Sequence, residues 1–96
     1  MMAGKRDFSD LTVEAGTMLL SRKQSASGGI DFVYETWEWD GMYGHSVIVY
    51  SDDVKGMKDA DLKEFIRPLI KEPESSVTIT RKEKYTFINF NFDAED

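Results

Sequence analysis

Three of the four strand-like segments in this chain carry apolar side chains on both faces. In Ile30 to Trp39, one alternating set holds Ile30, Phe32 and Tyr34, and the other holds Val33, Trp37 and Trp39. His45 to Tyr50 sets Val47 and Val49 against Ile48 and Tyr50, and Tyr85 to Phe92 sets Tyr85 and Phe87 against Ile88, Phe90 and Phe92. Side chains alternate across a strand, so a two-layer domain buries only one of the two sets. Two solutions present themselves. A β-bulge near Glu35 or Thr36, and another near Phe87, would shift the phase and turn every aromatic inward. Otherwise the second face is covered by another copy of the chain, because large apolar patches rarely stay wet on a monomer. The sequence leaves both open.

The aromatic and β-branched content of Ile30 to Trp39 favours a strand. Asp40 to Gly44 is rich in turn residues, and His45 to Tyr50 returns, giving a hairpin with a loop of about five residues. Val77 to Arg81 and Tyr85 to Phe92 form a second hairpin that turns at Lys82-Glu83-Lys84.

Two helices are expected. In the first, Phe8, Leu11, Ala15, Met18 and Leu19 share a helix face, Ser9 is an N-cap, and Arg22 and Lys23 suit the C-terminal end. Gly16, Thr12, Val13 and Thr17 weaken it, and two short strands turning at Ala15-Gly16 are the alternative for residues 9–24. In the second, Leu62, Phe65, Ile66, Leu69 and Ile70 recur at helical spacing. Asp59 or Asp61 is its N-cap, Asp61 with Glu64 fits a capping box, and Pro68 predicts a kink or a tightened last turn before Pro73 ends the element. The expected fold is α+β in two layers. An antiparallel sheet of about four strands carries both helices on one face, in the order α-β-β-α-β-β.

A chain of 96 residues is one domain, with a polar lead-in at 1–8 and an acidic tail at 93–96. It has no cysteine and one histidine, which removes disulfides, thiolate nucleophiles and cysteine-ligated metals. His45 could join Asp40 or Asp31 on a metal, but one histidine without cysteine is a poor zinc set. No phosphate-loop or dinucleotide motif occurs, and Glu35 and Glu38, three apart on a strand, point to opposite faces. No catalytic residue, cofactor or metal is therefore expected. No apolar run is long enough for a spanning helix, and no signal-like segment leads the chain, so the expectation is a cytoplasmic protein that engages no membrane.

The formal net charge is −6, which disfavours nucleic acid as a partner and suits a basic protein. The charge is segregated: no Lys or Arg occurs from Gln24 to Val54, a stretch holding both tryptophans and several acids. Acid interleaved with aromatics suits a contact surface for a basic, partly apolar partner. A strand with core aromatics and a solvated acidic face fits the same pattern. The candidate partner-binding residues are Tyr34, Glu35, Trp37, Glu38, Trp39, Asp40, Tyr43 and His45, which gives a non-enzymatic protein-binding domain, with homodimerisation as one use of the surface. The alternative is a small-molecule binder or minor enzyme whose pocket is lined by Trp37, Trp39, Tyr43 and His45.

Overall fold

A computed structural model of the protein describes residues 6–69 and 77–92, and the side chains of Asn91 and Phe92 are outside the description. The expectations for Ile70, Pro73, the tail 93–96 and the first five residues lie outside the described residues. The strands are β1 (Met18–Ser27), β2 (Ile30–Trp39), β3 (Met42–Tyr50), β4 (Val77–Arg81) and β5 (Tyr85–Phe92). They form one antiparallel sheet in the order β1-β2-β3-β5-β4.

The first three strands form a meander joined by two-residue turns. Gly28 and Gly29 have φ of 59° and 83°, and Asp40 and Gly41 have 53° and 81°. Positive φ at both central residues is the mark of the type I′ turn, whose twist matches the flanking strands. The β2–β3 hairpin therefore closes at Trp39↔Met42. The longer loop expected over Asp40 to Gly44 is corrected to Asp40-Gly41, because Met42, Tyr43 and Gly44 pair with β2.

No bulge interrupts β2 against β3, or β5 against either neighbour. Among the described residues the one register shift lies between Leu19 and Ser21 of β1, opposite Trp37 and Thr36. The bulge expected near Glu35 or Thr36 is thus on the partner strand, with Leu20 as the extra residue, so β2 keeps its alternation. The one expected near Phe87 is absent, and the central strands are apolar on both faces.

The chain covers each face with a different device. On one face, α1 (Asp59–Ile66) lies over the sheet with Val54 of the preceding short 3₁₀ turn. Val54, Leu62 and Ile66 pack with Phe32, Val47, Val49, Ile88 and Phe90, and every one of them is buried. The helix entry is set by Asp61, whose carboxylate accepts the Lys58 backbone N–H at 3.1 Å. The tightened last turn expected at Pro68 is present as a 3₁₀ turn over Arg67–Leu69. Arg81 ties the helix to β4, donating to the Met57 carbonyl at 2.9 Å and to Asp59 at 2.8 Å.

The other face is covered by residues 6–17, a strap without regular structure. Phe8 and Leu11 are buried against Val33, Ile48 and Tyr85, with Tyr50 and Phe87 packed at the margin. The Phe8 ring stacks on Tyr85 with centroids 5.9 Å apart and meets Tyr50 edge-on at 5.2 Å. The strap turns twice, through Leu11 N–H to the Phe8 carbonyl and Thr17 N–H to the Glu14 carbonyl, each at 3.0 Å. Gly16 supplies the positive φ, 91°, that the second turn requires.

The helix expected from Ser9 is thereby overturned: its first half is the strap and its second half is β1. The helical periodicity did select the strap's two buried anchors, Phe8 and Leu11. Its remaining members disagree, with Ala15 exposed and Met18 59% exposed. Thr12, Val13, Gly16 and Thr17 disfavour helix locally. The aromatic sheet face needs a cover, and an extended segment supplies one.

The strap's apolar anchors make a measurable contribution. Phe8→Ala removes a ring buried between two tyrosines and is expected to lower unfolding stability by about 3 kcal/mol in chemical denaturation. An equal truncation at exposed Met18 is expected to cost about 0.5 kcal/mol or less.

Candidate functional site

The candidate residues sit on β2, β3 and their connecting turn, and strand alternation divides them. Tyr34, Glu38, Tyr43 and His45 belong to the helix face, and Glu35, Trp37 and Trp39 to the strap face. Asp40 occupies the turn. No single surface holds all eight.

Three of them are committed to the fold. Glu35 is buried, 7% exposed, and Arg22 of β1 delivers both Nε and Nη2 to its Oε2 at 2.7 Å. Tyr34 and His45 form an aromatic cluster at the margin of the helix-face core. The Tyr34 hydroxyl lies 2.9 Å from His45 Nδ1, and the imidazole stacks on Phe90 with centroids 5.3 Å apart. Burial pushes the Tyr34 phenol up and the His45 imidazole down from their ordinary values.

Trp37 is half-buried and held in place. Its indole N–H donates to Ser46 Oγ at 2.8 Å, and that hydroxyl donates to Asn89 Oδ1 at 2.6 Å. This relay floors a groove of about 890 Å³ on the strap face, walled by Thr12 to Ala15 of the strap, Trp37, Trp39, Thr80 and Phe87. Tyr43 and His45 lie on the opposite face, so the pocket expected from Trp37, Trp39, Tyr43 and His45 together is not formed.

What remains of the candidate set lies at one end of the sheet, Glu38 and Tyr43 on the helix face and Trp39 on the strap face, with the Asp40-Gly41 turn between them. Trp39 is 48% exposed and Tyr43 40%, and they are joined there by Met18, Leu20 and Met42, which the sequence reading did not select. Glu38 pairs in register with Met18 on one side and Tyr43 on the other. Its carboxylate thus rises between two exposed apolar side chains. Among the described residues, neither Glu38 nor Asp40 has an ion-pair partner. Met42 carried a signal that was missed, because a shorter turn returns it to the strand. Met18 and Leu20 carried none, since their place depends on the β1–β2 pairing.

The charge segregation of the sequence is relieved in space at two of its six acids, Glu35 and Asp53. Arg6 sets its guanidinium on Asp53 at 2.6 and 3.1 Å, and its backbone N–H donates to Asp31 at 2.6 Å. The Asp53 contact holds Arg6 above its ordinary pKa. Lys84, in the turn between β4 and β5, reaches Asp10 of the strap at 2.9 Å in an exposed pair. Among the described residues, Glu35 and Asp53 of the basic-free stretch are ion-paired, while Glu38 and Asp40 at the sheet end, and Asp52 in the 3₁₀ turn, are not.

Among the described residues no group of His, Asp or Glu could hold a metal ion, and no helix is long and apolar enough to cross a membrane. Comparison with known proteins finds no matching family, no matching curated protein and no matching solved structure.

Two outcomes follow for this region. Arg22→Ala leaves a buried carboxylate without its cation and is expected to cost about 2 kcal/mol, discounted because Arg22 is 31% exposed. Adding Glu35→Gln is expected to recover most of that loss in a double-mutant cycle. The second concerns acid. The folded-state pKa of His45 lies below its unfolded value of about 6.5, so the unfolded chain takes up the proton first. His45 therefore lowers stability as pH falls below that value, and the loss levels off once pH passes below the folded pKa. Denaturation midpoints between pH 7.5 and 5.5 are expected to fall less in His45→Gln than in the unsubstituted protein.

Proposed function

We propose that this protein is a non-enzymatic interaction domain that binds a basic, partly apolar segment of another protein. The contact lies at the sheet end formed by Met18, Leu20, Glu38, Trp39, Asp40, Met42 and Tyr43. One observation carries the reading: the exposed large apolar side chains coincide with two acids, Glu38 and Asp40, that have no ion-pair partner among the described residues. Apolar anchors ringed by uncompensated charge suit recognition, the rings giving affinity and the carboxylates giving orientation and on-rate. A net charge of −6 steers a basic partner in the same direction. The absence of cysteine supports the cytoplasm as the compartment.

This proposal narrows the eight candidates. Glu38, Trp39, Asp40 and Tyr43 are the contact residues, while Tyr34, Glu35, Trp37 and His45 hold the strands that present them.

A peptide alternating Lys with Phe or Leu serves as the probe, with a Glu-substituted version as control. Amide shifts are expected at Glu38 to Tyr43 and at Met18 to Leu20 with the basic peptide only, weakening as salt rises. Trp39→Ala with Tyr43→Ala is expected to weaken binding at least about tenfold while far-ultraviolet circular dichroism is unchanged. Equal response to both peptides, or shifts confined to the groove, would contradict the proposal.

A further inference from the structure

β1 is one of the two edge strands of the sheet, β4 being the other, and among the described residues nothing pairs with its outer edge. It runs for 10 residues, and nearly all its side chains are exposed. The Gly28-Gly29 turn fixes which backbone groups look outward. A two-residue turn makes Ser27 and Ile30 a hydrogen-bonded pair, and ladder alternation then directs Ser25 and Lys23 toward β2 as well. The N–H and C=O groups of Arg22, Gln24 and Ala26 therefore point away from the sheet.

Proteins usually blunt such an edge with charge, proline or a bulge. Here the bulge lies between Leu19 and Ser21, short of this stretch. Proline is absent, and the Arg22 guanidinium is drawn onto Glu35 at 2.7 Å. Lys23 is the one remaining guard. Beyond it run Gln24, Ser25, Ala26 and Ser27, all uncharged and unbranched.

We propose that this edge seats a second copy of the chain, through antiparallel β1–β1 pairing about a twofold axis at Gln24. The choice of axis follows from charge and length. An axis at Arg22 or Lys23 opposes like charges, which destabilises a cross-strand pair. An axis at Ser25 or Ala26 runs the ladder into the glycine turn. With the axis at Gln24, Arg22 faces the partner's Ala26, Lys23 faces the partner's Ser25, and Ser21 faces the partner's Ser27. The outward groups of Arg22, Gln24 and Ala26 then find partners in about six main-chain hydrogen bonds. The partner's Asp31 lies one strand beyond the partner's Ala26, roughly 10 Å from Arg22 on the same face, so the charges across the junction are of opposite sign. This surface is separate from the contact residues at the sheet end, and either can fail without the other.

Sedimentation equilibrium of the full chain, over concentrations up to about 1 mM, tests the pairing together with amide hydrogen exchange. A concentration-dependent dimer is expected, with the amides of Arg22, Gln24 and Ala26 exchanging more slowly as it forms. Gln24→Pro removes an outward N–H that β2 does not use, and Ala26→Lys sets a cation against the partner's Arg22. Each is expected to raise the dimer dissociation constant at least about tenfold with unchanged circular dichroism. Trp39→Ala with Tyr43→Ala is expected to leave the dimer intact. A monomer throughout the range, or a dimer that Gln24→Pro and Ala26→Lys leave unchanged, would overturn the proposal. So would a dimer abolished by the Trp39 and Tyr43 substitutions, which would place the contact at the sheet end.

Discussion

The structure depends on closing two apolar sheet faces with one short chain that has no disulfide to help. β2, β3 and β5 keep strict alternation through the centre of the sheet, so Val33, Ile48 and Tyr85 on one side need burial as much as Phe32, Val47 and Ile88 on the other. A helix closes one face by its own backbone hydrogen bonding and an apolar stripe. The other is closed by a strap whose regular hydrogen bonding is limited to two turns. The strap is held by aromatic stacking on Phe8 and by ionic ties at both ends of its buried stretch, Arg6 to Asp53 and Lys84 to Asp10. Arg6 also lies over the Tyr50 ring at 4.4 Å, so the same cation serves charge and packing.

This arrangement determines where the surface stays apolar. The strap covers the glycine-turn end of its face and leaves a groove floored by Glu35, Ser46 and Asn89. At the far end of the sheet the strap passes beside the Trp39 indole at Gly16, yet Trp39, Met42 and Tyr43 stay exposed. Cations from the strap and from β1 pair with Asp53 and Glu35, a strap backbone N–H binds Asp31, and Glu38 and Asp40 beside the exposed apolar residues have no ion-pair partner among the described residues.

Much of the fold could be read from the residues, and the limits were physical. The hairpins of β2–β3 and β4–β5 and the helix with its tightened end at Pro68 follow from alternation, helical spacing and proline chemistry, all local. The first helix did not, because Phe8 and Leu11 fit a helix face and a sheet cover equally well. The choice between them is made by Tyr50 and Tyr85, distant in sequence. The doubly apolar strands were legible as a problem, while the solution was not, since strap, bulge and second copy satisfy the same pattern. Half of the candidate surface residues were misplaced for a related reason. Glu35 looked like a free acid until pairing brought Arg22 to it, and that register belongs to the β1–β2 turn at Gly28-Gly29.

Residues 6–17 of the same chain close the second sheet face. Nuclear Overhauser contacts between the Phe8 ring and the rings of Tyr50 and Tyr85 test this closure most directly, measured in a mixed sample of labelled and unlabelled protein. Strong contacts within one molecule, unchanged on dilution, are expected. Phe8 resonances at random-coil positions, or contacts seen only between labelled and unlabelled chains, would contradict it.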